Sequence, residues 1–240
     1  MPKSYSSDAA RISARKQLYN MVLSRAGTIA PRLVQDAFHV RFYSRASKTW
    51  RNTRFLGTNV WKNPFDLWVY QEMLSELRPE VIIECGTAYG GSALFLASMC
   101  ELLGTGQVVS IDIEQRDVPP PEHPRITYLI GSSTSDEIVS QVTALAAGKS
   151  TLVILDSDHS RAHVLRELER YGPLVSEGSY IIVEDSNVFG HPVDRHHGPG
   201  PMEAIHDYLA TTDEFQIDRE REKYMFTFNP EGFLRRTRAD

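Results

Sequence analysis

The side chains in this 240-residue sequence that can do chemistry sit where apolar runs stop. Thr151-Leu152-Val153-Ile154-Leu155 breaks into Asp156-Ser157-Asp158-His159, the densest group of proton- and metal-handling residues in the chain. Tyr180-Ile181-Ile182-Val183 ends in Glu184-Asp185, Val108-Val109-Ser110-Ile111 in Asp112, and Val81-Ile82-Ile83 in Glu84. Carboxylates so placed can accept hydrogen bonds from sugar hydroxyls, hold a hard cation through oxygen, or steady a histidine that moves a proton. Gathered at one place they repel one another unless protonated or neutralised, so the pattern calls for bound positive charge. Oxygen ligation without cysteine suits Mg2+ or Mn2+ better than zinc. Asp156, Asp158, Glu184 and Asp185 are the candidate metal ligands. His159, three residues after Asp156, is open to three readings: general base, metal ligand, or a surface histidine.

A second constellation precedes these acids. Val81 to Ser92 reads as a strand, a glycine turn (Gly86, Gly90, Gly91) and a helix N-terminus, the usual seat of a nucleotide-like ligand. Glycine there lets backbone approach a ligand with no Cβ in the way. The acid-x-Gly-x-x-x-Gly spacing is not the G-x-G-x-x-G of dinucleotide binders. Glu84, Gly86, Thr87, Tyr89, Gly90, Gly91 and Ser92 are therefore candidate ligand contacts. Asp112, 26 residues beyond Gly86, is placed to accept both hydroxyls of a ribose. Ser132 and Ser133, closing the strand predicted over 125–131, suit an adenine edge, and Asp156 borders the same ligand.

Five near-continuous apolar runs separated by helical stretches predict an α/β fold with a buried, mostly parallel sheet wound on both faces. Crossovers of one hand put the strand tips on one edge, so Glu84, Asp112, Asp156, Asp158, Glu184 and Asp185 are expected around one crevice. Helices are predicted over 66–77, 136–147, 161–171 and 202–209. Residues 215–218 and 224–228 alternate well enough for a closing antiparallel pair. Between them and the fifth strand, 188–201 has the His, Pro and Gly content of a substrate lid, with His196 and His197 as possible contacts.

The N-terminal part is different. Helices are predicted over 8–28 and from Pro31 onward. Residues 1–62 carry twelve Lys or Arg against Asp8 and Asp36, a balance of +10, which leaves −15 of the net −5 to the remainder. These basic residues are scattered, with few aromatics among them. A solvated or subunit-contacting arm, and a homo-oligomer, are expected in preference to a nucleic-acid site. The chain thus divides into a basic helical arm with its connecting loop (1–62) and a ligand-binding domain (63–240). Cys85 and Cys100 lie in apolar runs and form neither a disulfide framework nor a metal spacing. No run of eighteen apolar residues and no secretory signal is visible, which predicts a cytoplasmic protein with no membrane partner.

Several segments in one order carry a family resemblance. Pro64-Phe65-Asp66-Leu67-Trp68-Val69-Tyr70-Gln71-Glu72, Ile83-Glu84-Cys85-Gly86-Thr87, Gly90-Gly91-Ser92-Ala93-Leu94, Leu155-Asp156-Ser157-Asp158-His159, His163-Val164-Leu165-Arg166-Glu167-Leu168 and Asn229-Pro230-Glu231-Gly232-Phe233-Leu234 resemble the rhamnosyl O-methyltransferase and cephalosporin hydroxylase family. The likeness spans roughly residues 50–236. It implies a Rossmann-like class I methyltransferase fold with a seven-stranded sheet, S-adenosylmethionine, often Mg2+, and action on hydroxyls of sugars or secondary metabolites. Cys85 stands where Thr or another small residue is expected, and Asp158 where Asn is expected.

A metal-assisted O-methyltransferase of natural-product type follows. S-adenosylmethionine would lie over Gly86–Gly91 with its ribose on Asp112. His159 would be the base, and Asp156, Glu184 and Asp185 would hold the metal, with Asp158 the rival of Asp156. The small-molecule acceptor is a hydroxyl compound. The family also spans β-lactam hydroxylation and methoxylation, which is the alternative. A nicotinamide oxidoreductase is disfavoured by the glycine spacing and by the absence of any Tyr-x-x-x-Lys pair, and a non-catalytic binding subunit by the complete acid and histidine set.

Overall fold

The computed structural model describes residues 14–237. It begins with α1 (Ala14–Ile29) and α2 (Pro31–Tyr43), the latter opened by Pro31 in its first turn. The part of the expected first helix before Ala14 lies outside the described residues. Two single-turn 3-10 helices lead to a small hairpin, β1 (Arg54–Phe55) and β2 (Thr58–Asn59). Helix α3 (Pro64–Leu77) follows, its first turn capped by the Asn63 side chain, which accepts from Phe65 N at 3.1 Å.

Strands and helices follow as β3 (Val81–Cys85), α4 (Gly91–Leu103), β4 (Gln107–Asp112), β5 (Ile126–Ile130), α5 (Asp136–Ala146), β6 (Thr151–Leu155), α6 (Arg161–Tyr171), β7 (Tyr180–Val183) and α7 (Pro201–Leu209). They alternate except at β4 and β5, which a loop joins directly. Strands β8 (Phe215–Ile217) and β9 (Phe233–Arg236) close the chain.

The seven-stranded sheet has the order β5-β4-β3-β6-β7-β9-β8. Strands β3 to β7 are parallel, and β9 pairs antiparallel with β7 and β8. All five residues of β3 and of β6 are buried, because helices cover both faces. The two-residue period of a strand sorts them. Val81, Ile83, Cys85, Val153 and Leu155 face one apolar layer with α5, α6 and α7, while Ile82, Leu152 and Ile154 face the other with α3 and α4. The strand order reverses at β3, between β4 and β6, so a crevice opens at the carboxyl tips there.

The closing antiparallel pair exists, but its second strand is β9 and not 224–228, which is coil. The aromatic alternation of 224–228 serves another purpose. Phe226 and Phe228 plug into Phe38, Phe42 and Trp50 of the N-terminal segment. The Phe228 N–H, which a strand would spend on a ladder, donates to the buried Asp66 carboxylate at 2.9 Å. Among the described residues, no helix is long and apolar enough to cross a membrane.

Candidate active site

The β3–α4 turn is shaped by the protein's own crowding. A Cβ on Gly86 would stand 1.8 Å from the Asp156 carbonyl oxygen, and φ there is +106°. A Cβ on Gly91 would meet Asn59 O at 2.1 Å, and one on Gly90 would meet Pro120 Cβ at 2.6 Å. The packing of the chain itself thus requires glycine at these positions, and Gly86 and Gly91 also border the cleft. The missing side chains make room for β6, β2 and the proline loop, and the ligand path is a consequence of that packing.

Beneath the turn, Glu84 is fully buried. Ser110 Oγ donates to its Oε2 at 2.7 Å and lies 2.8 Å from Thr87 Oγ1. Burial pushes the Glu84 carboxyl above the usual carboxylate range, with Lys62 opposing. Glu84 props the turn from below and does not reach the crevice, whereas Ser92, mostly buried, borders it. Asp112 does reach it, and its Oδ2 accepts from Ala88 N at 2.8 Å, which fixes the carboxylate against the turn. Tyr89 lies edge-on to Trp61 at 5.0 Å on the same wall.

The crevice is a cleft of about 600 Å3 that Gly86, Thr87, Tyr89, Gly91, Asp112, Ser132, Ser133, Asp156, Asp158, His159 and Asp185 all border. Ser133 Oγ is not free within it, since it donates to the buried Glu167 at 2.5 Å, as does Ser157 Oγ at 2.6 Å. His163 Nε2 lies 3.3 Å from the same carboxylate.

At the tips of β6 and β7 the acids separate into two environments. His159 Nε2 lies 3.3 Å from Asp185 Oδ2 and 3.9 Å from Asp156 Oδ1, facing the cleft. One donor atom from each of Asp156, His159 and Asp185 falls within 4.8 Å of the others, a spacing that one ion could bridge. Burial pushes the Asp185 carboxyl up to about 6, with His159 opposing and Asp156 adding to the rise. Its backbone is left-handed (φ 53°), and its N–H donates to Asn229 Oδ1 at 3.1 Å. The segment that resembles the family near the C-terminus thus holds Asp185 in place.

Glu184 is not part of that group. It turns inward, where its Oε1 accepts from Tyr70 Oη at 2.9 Å and from Lys62 Nζ in a shorter contact. Lys62 Nζ also donates to Asp156 Oδ2 at 2.6 Å. Burial alone would lower the Lys62 pKa, but Asp156 and Glu184 outweigh it and hold the ammonium. In this structure Lys62 joins Glu184 to Asp156, while His159 lies between Asp156 and Asp185. Asp158 is exposed and accepts from Ser160 N at 2.7 Å; the Ser160 hydroxyl, and then this N–H, hold its carboxyl below the usual range. The sequence pattern does not mark Lys62, Tyr70 or Asn229 as site residues. Lys62 lies in the basic segment, and nothing in its neighbours marks it as buried.

Seven strands in this order, helices on both faces and acids at the switch-point tips are the architecture of class I methyltransferases. The chain belongs to the rhamnosyl O-methyltransferase/CmcI family, whose model matches residues 47–237. It is an O-methyltransferase. It is 42% identical over 209 residues to the rhamnosyl O-methyltransferase of Mycobacterium tuberculosis, covering 84% of each chain. It is 39% identical over 208 residues to that of Mycobacterium leprae, covering 84% of this chain and 90% of the relative. An apo structure of CmcI superposes with a TM-score of 0.61 at 24% identity, covering 79% of this chain and 78% of CmcI, which supports the fold.

Proposed function

We propose that this enzyme methylates a hydroxyl of a sugar-bearing natural product with the help of a divalent cation, Mg2+ or Mn2+. The observation that carries the reading is His159 Nε2, set 3.3 Å from Asp185 Oδ2 in the cleft that Gly86 and Asp112 border. The relatives named rhamnosyl O-methyltransferase support a sugar hydroxyl as acceptor. A CmcI structure described as a Mg-SAM complex supports the cation only as a property of that protein.

The residues fit both small groups. Asp112, held by Ala88 N, offers its carboxylate to ribose hydroxyls. Asp156 and Asp185 supply the hard oxygen donors that Mg2+ prefers, with His159 within the same 4.8 Å. The methyl donor, when bound, supplies an activated methyl on a sulfonium. The divalent cation, when bound, supplies a Lewis acid that lowers the pKa of an acceptor hydroxyl.

His159 takes the hydroxyl proton at Nε2, and Asp185 beside it stabilises the imidazolium that forms. Asn229 fixes the Asp185 backbone, so the base and its partner are aligned before substrate arrives. Trp61 and Tyr89 offer apolar ring surface on the same wall, which suits the C–H face of a sugar. Transfer of labelled methyl from S-adenosylmethionine to rhamnosylated and other hydroxylated acceptors tests the proposal. Methylation of the rhamnosyl group is expected. Activity only on non-sugar hydroxyls would overturn the acceptor class.

A further inference from the structure

One buried carboxylate ties the floor of the cleft together. Glu167, on α6, is fully buried, and its Oε1 accepts from Ser133 Oγ at 2.5 Å and from Ser157 Oγ at 2.6 Å. Ser133 follows β5 and Ser157 follows β6, so one side chain gathers the tips of two strands that are not neighbours in the sheet. His163 Nε2 joins them, 3.1 Å from Ser133 Oγ and 3.3 Å from the carboxylate. Ser133, Ser157 and His163 border the cleft, and Glu167 lies behind them. Its Oε2 meets no N–H or O–H among the described residues. The loop after β5 has a second anchor, since Tyr171 Oη donates to the Ser133 carbonyl at 2.6 Å.

A fully buried carboxylate with an unused oxygen is a costly way to fasten two loops. Its effect on the serines is more specific. A hydroxyl has one proton to donate and two lone pairs. Both serine protons are spent on Glu167, so towards the cleft each hydroxyl can only accept. Asp112 pairs in register with Ile130, three residues before Ser133. A purine attached to a ribose on Asp112 therefore reaches this floor, and its exocyclic amine is the group that can donate to it.

We infer that Glu167 is a positioning residue that fixes the hydrogen-bond polarity of the cleft floor, making Ser133 and Ser157 acceptors for the exocyclic amine of the donor's purine and selecting against a 6-oxo purine. The inference rests on the reading above in which S-adenosylmethionine occupies this cleft with its ribose on Asp112. A 6-oxo purine would bring its carbonyl against oxygens that have no proton to offer, leaving desolvated polar atoms unpaired. Without Glu167 the hydroxyl protons are free to turn towards the cleft. The serines could then donate to a carbonyl as readily as they accept from an amine.

The test is calorimetric titration of the full-length protein with S-adenosylhomocysteine and with its deaminated analogue, S-inosylhomocysteine. Wild type is expected to prefer the adenine ligand by about 100-fold or more. E167M keeps a side chain of similar length without the acceptor, and Tyr171 still anchors the loop. It should hold S-adenosylhomocysteine within about tenfold of wild type and lower the preference to less than about fivefold. A merely structural role would weaken both ligands alike and leave their ratio unchanged. That outcome overturns the inference, as does a wild type that binds the two equally.

If E167M does not fold, S133A and S157A decide. A reduced preference in either supports the inference, and the wild-type preference in both refutes it. Failure of the wild type to bind S-adenosylhomocysteine at all would overturn the placement of the donor, and the inference with it.

Discussion

Lys62 Nζ stands 2.6 Å from Asp156 Oδ2 across 94 positions of sequence, and the pair fastens the loop before α3 to the tip of β6. The loop also carries Trp61, which forms part of the cleft wall. One contact therefore sets the position of a carboxylate at the reaction centre and of the surface above it. Removing one partner leaves the other charge buried without compensation, which costs about 3–5 kcal/mol in comparable pairs. Lys62→Ala should lower stability by that order in urea unfolding, and Lys62→Ala with Glu184→Gln should lower it less.

The base assignment makes a kinetic prediction. His159→Ala should cut turnover about 10²–10⁴-fold, the usual worth of a positioned proton acceptor. Binding of S-adenosylhomocysteine should be retained, because the imidazole faces Asp185 and Asp156 and not the glycine turn. Turnover within a few-fold of wild type would remove His159 from the proton transfer.

The cofactor site makes a thermodynamic one. S-adenosylhomocysteine should raise the melting temperature, since a ligand that binds only the native state stabilises it by mass action. Asp112→Ala should weaken that ligand about 10–100-fold in calorimetry, as hydrogen bonds to a charged acceptor contribute about 1.5–3 kcal/mol. An unchanged affinity would move the ribose elsewhere.

The cation makes a third. EDTA should abolish methyl transfer, and Mg2+ or Mn2+ should restore it, if Asp156 and Asp185 hold an ion that acidifies the acceptor hydroxyl. Full activity in EDTA would leave deprotonation to His159 alone.

How far these features could be read from the sequence follows from their physical range. Strands β3, β4, β6 and β7 are legible because a sheet covered on both faces demands near-continuous apolar runs, and the acid ending each run marks its tip. The coil at 224–228 misled because Phe226 and Phe228 repeat at strand spacing while packing against α2, a contact no local pattern reveals. Glu184 and Asp185 are neighbours in sequence, yet one turns to Lys62 and the other to His159. Lys62 itself was invisible, since its partners lie 94 and 122 residues away. The spacing marks Gly86, but the reason for a glycine there, the carbonyl of Asp156, lies at the tip of another strand.

That reason gives a prediction that separates fold from ligand contact. Gly86→Ala would place a methyl within 1.8 Å of backbone that cannot move without pulling β6 away from β3. The left-handed φ adds strain of its own. Loss of thermal stability is expected with and without ligand. A variant as stable as wild type but unable to bind S-adenosylhomocysteine would instead make Gly86 a ligand contact.

The last prediction concerns pH, through the anchoring of α2. His39 is buried, stacks on Phe228, and its Nε2 lies 2.7 Å from Asn187 Nδ2, two residues beyond Asp185. An amide N–H donating there requires a neutral ring. Burial pushes the His39 pKa down from 6.5 to about 4, with Asp36 opposing. Between those values the unfolded chain binds the proton more readily than the folded one, so stability rises with pH across that window. The contribution is fully present above about 6.5 and is lost progressively as pH falls towards 4. Asp66 works against it: burial raises its carboxyl from 3.8 to about 7, so its contribution is present at low pH and lost as pH rises through 7. The raw stability profile mixes the two, and a difference between variants isolates the histidine. His39→Gln removes the titration while leaving a polar side chain towards Asn187. The advantage of wild type over this variant should therefore shrink by about 2 kcal/mol between pH 7 and pH 5 in urea unfolding. A difference that stays constant over that range would mean that His39 titrates alike in the folded and unfolded chain.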